Sequence, residues 1–149
     1  MNPSFDKTEV LARLDKILES ELSGVVRYLH YSFMIFGPNR IPITKWFRDQ
    51  AMEGFNHATV IGEKITALGG HASVKVKPVP ETNQHNVLEM LSESLEYEKE
   101  TLRLYYELLE RVTNDVPLEE MVRGLIAEET AHVEEVEKMI RGGAATGKA

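Results

Sequence analysis

Four long stretches of this sequence repeat apolar residues at alternating steps of three and four, and each repeat is interrupted by ionisable residues. Such a repeat marks helices packed along a seam. The first stretch runs from about Lys7 to Phe36, through Leu14, Leu18, Glu21, Val25, Tyr28, Ser32 and Ile35. The second runs from about Thr44 to Leu68, through Trp46, Gln50, Glu53 or Gly54, His57, Ile61 and Ile65. The third, from about Gln84 to Val112, carries Leu88, Leu91, Leu95, Glu98, Leu102, Tyr105, Leu109 and Val112. The fourth, from about Pro117 to Arg141, carries Leu118, Val122, Leu125, Glu129, His132, Val136 and Met139.

The breaks between stretches agree with these limits. Gly37-Pro38 stops the first, and Pro42 holds the connection open until Thr44 caps the second. Gly69-Gly70 stops the second, and Asn114-Asp115 breaks the chain before Pro117, a favourable first helical residue. Short links predict two antiparallel hairpins. The link from Gly69 to about Asn83 is long, holds Pro78 and Pro80, and has Val74, Val76 and Val79 placed to lie extended along the bundle. The expected fold is all-α: an antiparallel four-helix bundle with one long crossover between helices two and three, the ferritin-like arrangement. One domain covers 1–149, with an ordered core of about 5–141 and a flexible, Gly-rich tail over 142–149.

Composition narrows the function. A net charge of -7 argues against nucleic acid as the main partner and favours cations. No apolar run approaches the roughly 20 residues that span a membrane. The start, Met1 to Asp6, lacks the basic and apolar segments of a signal peptide. There are no cysteines, which removes disulfides, thiolate metal sites and a cysteine nucleophile. Together these features predict a cytoplasmic protein.

The interruptions carry the chemistry. Glu21, His57, Glu98, Glu129 and His132 stand where the seams call for apolar side chains. Buried carboxylates are costly unless their charge is compensated, and several in one layer repel each other. Two divalent cations turn that repulsion into attraction. Carboxylate and imidazole donors suit iron, manganese or zinc, and the oxygen-rich set favours iron and manganese. Glu129-Thr130-Ala131-His132 is a Glu-x-x-His whose two side chains share one helical face. With Glu21 and Glu98 it matches most of the pattern in which two helices give one Glu each and two give Glu-x-x-His. By contrast, Glu19, Glu93, Glu96, Glu107, Glu110, Glu134, Glu135 and Glu137 mostly lie off the seams and read as solvated. His30 needs no role, and His71 and His85 read as exposed.

The sequence resembles the bacterioferritin branch of the ferritin-like family from Leu14 to about Ile140. The likeness rests on Leu18-Glu19-Ser20-Glu21-Leu22 with Tyr28, His57-Ala58 with Glu63, Met90-Leu91 leading to Glu98, and Glu128-Glu129-Thr130-Ala131-His132. It implies that Glu21, His57, Glu98, Glu129 and His132 are metal ligands. It also implies that Glu98 and a glutamate of helix two or four bridge the metals, and that Tyr28 stands close beside them.

Three departures bear on function. Gly54 occupies the family's helix-two glutamate position, and Glu53, four residues before His57, is the substitute expected to replace the missing ligand. Phe55 occupies the family's haem-methionine position, so no haem is expected. Only Val133 to Ala149 follow His132, too little for the short fifth helix that lines the family's cage pores. A homo-oligomer, a dimer at least, is therefore expected. The resemblance implies an enzyme of ferroxidase type, in which Fe(II) is bound at a two-metal site and oxidised by oxygen or hydrogen peroxide. Two alternatives are a peroxide-reducing rubrerythrin-like or manganese-catalase-like oxidoreductase, and a non-catalytic bundle that binds or stores metal.

Overall fold

The computed structural model describes residues 4–146 and contains four helices. They are α1 (Lys7–Phe33), α2 (Arg40–Ala67), α3 (Val87–Leu109) and α4 (Val116–Thr146). Local chemistry sets three of the starts. Asp6 accepts from the Glu9 amide at 3.2 Å, Asn86 from that of Glu89 at 3.1 Å, and Asp115 from that of Leu118 at 3.0 Å. Each satisfies an amide that has no partner within its own helix.

Several boundaries differ from expectation. Helix α2 begins at Arg40, not Thr44, because Pro42 falls in the first turn, where no amide donor is needed. Helix α1 stops three residues before Phe36, and α3 is shorter at both ends than the apolar repeat suggests. The Gly-rich stretch from Gly142, expected as tail, continues α4 through Thr146, and residues 147–149 lie outside the described residues. Gly69 ends α2 with φ 86°, and the Gly70 amide donates back to the Ile65 carbonyl at 2.9 Å. That is a left-handed helix stop, which glycine adopts without strain.

The chain then runs back beside α1 without forming a strand. Ser73 donates its amide to Asp15 at 3.0 Å, Lys77 donates to the Glu19 carbonyl at 3.2 Å, and His30 meets Glu81 at 3.1 Å. The His85 ring reaches Phe36. A 27-residue helix is about 40 Å long, so this long link is needed to return the chain to the starting end. Val79 is half-buried there, whereas Val74 is 91% exposed and contributes no cover.

The core divides into two apolar clusters. One gathers Leu14, Ile17, Ile61, Ile65, Tyr105, Leu108 and Val122. The other gathers Tyr28, Tyr31, Phe47, Met90, Leu91 and Val136. Two buried faces are rotated from the expected seams. Helix α2 buries Phe47, leaving Trp46 half-buried. Helix α3 buries Ser94, Tyr97 and Thr101, while Leu95, Leu102 and Leu109 are half-buried. Small polar groups face α1 because they find partners there: Ser20 and Thr101 share a hydrogen bond of 2.8 Å. No helix among the described residues is long and apolar enough to cross a membrane.

Candidate metal centre

Between the two apolar clusters lies a polar layer supplied by all four helices. Glu21 from α1, His57 from α2, Glu98 from α3 and Glu129 from α4 are each no more than 5% exposed. His57 Nδ1 lies 3.0 Å from Glu21 Oε2 and 2.8 Å from Glu129 Oε1. His132 Nε2 lies 3.4 Å from Glu98 Oε1. The Tyr28 hydroxyl donates to Glu98 Oε1 at 2.7 Å, and its oxygen is 3.1 Å from His132 Nε2. Five of the six candidate ligands, Glu21, His57, Glu98, Glu129 and His132, together with Tyr28, thus fall into one layer, with Glu129 beside His57 and interacting with Glu98, while the sixth, Glu53, is half exposed.

The electrostatics are those of a charge deficit. Burial pushes the Glu21 carboxyl up to about 7, against the lowering effect of His57. Burial, reinforced by the neighbouring Glu129, pushes Glu98 well above the usual carboxylate range. Burial also lowers His57, but its hydrogen bonds to Glu129 and Glu21 outweigh this and raise it to about 11. In the metal-free protein the His57 imidazolium is therefore the cation that holds the carboxylates together. Burial lowers His132, which keeps it a neutral donor. Burial and the Glu98 carboxylate hold Tyr28 as a phenol.

One observation tests whether a metal fits. Glu129 Oε2 is buried and has no hydrogen-bond partner. An orphaned carboxylate oxygen is expensive in a core, and Glu129 lines a pocket together with Glu21, Glu53, Glu98 and His132. Glu21, His57 and Glu129 each offer one ligand atom, with these atoms within 4.8 Å of one another. The donor set suits divalent iron, manganese or zinc.

Glu53 and Gly54 both line the pocket of the buried layer, beside Glu21, Glu98, Glu129 and His132. Glu53 is 48% exposed on its side chain, and its Oε1 is 3.9 Å from His57 Nε2, on the ring edge opposite Glu21 and Glu129. A Cβ on Gly54 would stand 3.3 Å from the Glu21 carbonyl and 3.4 Å from a Val25 methyl. Glycine there lets α1 and α2 approach closely.

Three further side chains contribute that the seam pattern does not single out. Glu128 Oε2 lies 2.7 Å from His57 Nε2 and fixes the ring from outside. Its signal was adjacency: on α4 it is turned one position from Glu129 and so reaches the other edge of the same imidazole. Trp46 stacks on His132 with ring centroids 5.9 Å apart and planes at 14°. Tyr97 donates to the Ser20 carbonyl at 2.5 Å and closes the floor beside Gly24. Those two contacts depend on helix rotation, which the apolar repeat leaves undetermined.

Residues 11–144 match the Ferritin family, described as a ferritin-like domain. A ferritin-like diiron-carboxylate protein from Bacillus anthracis str. Ames is 28% identical, with TM-score 0.85 over 92% of this chain and 99% of that one. A bacterioferritin from Rhodobacter capsulatus, with a metal-free dinuclear site and a haem iron, is 24% identical, with TM-score 0.82 over 93% and 87%. A dodecameric thioferritin from Bacteroides fragilis shares the fold at 17% identity, with TM-score 0.86 over 97% and 91%. No curated protein matches the sequence.

Proposed function

This chain belongs to the ferritin-like domain family, and from that premise we propose that it is a ferroxidase-type protein that binds and oxidises Fe(II). The observation that carries the reading is the buried layer of Glu21, Glu98 and Glu129 with His57 and His132, containing an unpartnered carboxylate oxygen. Two Fe(II) ions supply one electron each to oxygen or hydrogen peroxide, which takes up two electrons and two protons. The chain's own groups bind the ions and manage charge. Glu21, Glu98 and Glu129 would offset the ions' charge, and Glu129 lies between His57 and Glu98. His57 offers Nδ1, which faces Glu21 and Glu129. His132 offers a neutral imidazole held by the Trp46 stack and the Tyr28 hydroxyl. Tyr28 also donates its hydroxyl hydrogen to Glu98 Oε1 and so orients that carboxylate. Glu53, the acid nearest the place left by Gly54, is half exposed and lines the same pocket, where it is the substitute for the missing ligand.

A homo-oligomer, a dimer at least, forms part of the same reading. Val26, Leu29, Phe33, Met52 and Phe55 are between 40% and 58% exposed on α1 and α2, and an apolar face of that kind favours a second copy. Mass by size-exclusion with light scattering tests it.

The activity test is aerobic and peroxide-driven oxidation of Fe(II), followed by absorbance, with Glu98→Gln as control. Turnover by the wild type that is lost in the variant supports the proposal. Binding without turnover would favour the second reading, a bundle that only holds metal, to which Gly54 in the helix-two glutamate position lends support.

A further inference from the structure

One cavity lies outside the polar layer and differs from it in character. It holds about 190 Å³ and is walled by Ile43, Trp46 and Phe47 of α2, Val87 and Leu91 of α3, and Met139 of α4. Every residue that lines it is apolar. Leu91 stands seven residues before Glu98, and Met139 seven after His132. The cavity therefore lies about 10 Å along the bundle from the buried layer. Its two aromatic walls are in ring contact with that layer. Trp46 stacks on His132 with centroids 5.9 Å apart, and Phe47 stacks on Tyr28 at 6.2 Å with planes at 30°. The other openings beside the layer are acidic: one is lined by Glu53, Glu128 and Glu135, the next by Asp49, Glu53 and Glu128. Carboxylates there attract cations and hold water, and they offer an uncharged gas nothing.

We propose that this apolar cavity is a binding site for molecular oxygen, which collects there and reaches the buried layer past the Trp46 and Phe47 rings. Oxygen carries no charge and no dipole, so it leaves water for apolar space. Apolar cavities of about 150 Å³ stay dry and take up xenon or benzene. The cavity floor suits this, because Phe47 and Leu91 are fully buried, while half-buried Ile43, Val87 and Met139 leave a way in from solvent. Side chains that fluctuate on the ps–ns scale let a diatomic gas pass between them. Hydrogen peroxide is polar and has two O–H donors to satisfy, so it gains nothing in this cavity and enters by the acidic openings. The use of the oxygen rests on the ferroxidase reading; its binding does not.

Xenon, an uncharged apolar probe, tests the site on the full chain by methyl NMR under xenon pressure. In the wild type the shifts should centre on Ile43, Val87, Leu91 and Met139. Val87→Phe and, from the facing helix, Ile43→Phe put a ring into the cavity and should abolish them. Oxygen itself is followed by its quenching of Trp46, the chain's only tryptophan, which should weaken in both variants. In Fe(II) oxidation the variants should raise the KM for oxygen about fourfold, the worth of burying one group of methylene size, with kcat held. Oxidation driven by hydrogen peroxide should keep its wild-type rate. Xenon shifts that miss the cavity, or that persist in both variants, overturn the site. A wild-type KM for oxygen in both variants overturns the route, as does equal slowing with oxygen and peroxide, which would indicate a disturbed metal layer. If the wild type oxidises Fe(II) with neither oxidant, the ferroxidase reading fails. The oxygen site then stands if both variants weaken quenching of Trp46 and falls if neither does.

Discussion

Raising the pH of the metal-free protein should destabilise it, and Glu21 sets the size of the effect. Its carboxyl ordinarily titrates at 4.5 and is pushed to about 7 by burial. A raised acid binds its proton more tightly when folded. Its contribution is therefore fully present below 4.5 and is lost as the pH rises through about 7. Moving the value from 4.5 to about 7 corresponds to about 3 kcal/mol. Glu98, also raised by burial, acts in the same direction at higher pH. His57 does too: its stabilisation is complete below 6.5 and is lost as the pH rises through about 11. His132, lowered by burial, opposes them, because its contribution falls as the pH drops below 6.5. Urea unfolding with chelator, at intervals across this window, should be run on wild type and Glu21→Gln. The stability difference between them should shrink by about 3 kcal/mol from the acid end to neutrality, since glutamine does not titrate. A difference that stays flat, or that grows with pH, would refute the electrostatic account of the layer. Saturating divalent metal should reverse the wild-type slope, because ligands must shed protons to bind it.

Three substitutions give further tests. Tyr28→Phe removes the donor to Glu98 and should cost about 1–2 kcal/mol in urea unfolding, with slower Fe(II) oxidation and an unchanged helical circular dichroism spectrum. Gly24→Ala drives a Cβ into the Tyr97 hydroxyl. It should destabilise by about 1–3 kcal/mol and disturb metal affinity, because Tyr97 and Gly24 both line the site. Phe47→Ala empties a fully buried position in the cluster beside Tyr28 and should cost about 3–5 kcal/mol, measured as a lower thermal midpoint.

Much of this architecture is legible in the sequence because helix periodicity and burial cost act on single residues. Glu21, His57, Glu98 and Glu129 were visible as charges at apolar positions, and all four lie within the buried layer. The crossover was visible in its prolines and length. What stayed hidden depends on how helices rotate against each other. The repeat on α3 pointed to Leu95 and Leu102. The structure instead buries Ser94 and Thr101, because Ser20 of α1 offers a hydrogen-bond partner. Helix α2 starts at Arg40, ahead of the expected Thr44, because proline blocks a helix interior but is tolerated in the first turn. Trp46 and Glu128 escaped notice because their roles arise across helices, one by stacking on His132 and the other by reaching the far edge of His57.

The central claim is that one buried layer of Glu21, His57, Glu98, Glu129 and His132 holds two metal ions. Anaerobic Fe(II) titration with metal analysis of the desalted protein measures this directly. The account predicts two ions per chain in the wild type and fewer in Glu98→Gln. A wild type that retains one ion or none would contradict it.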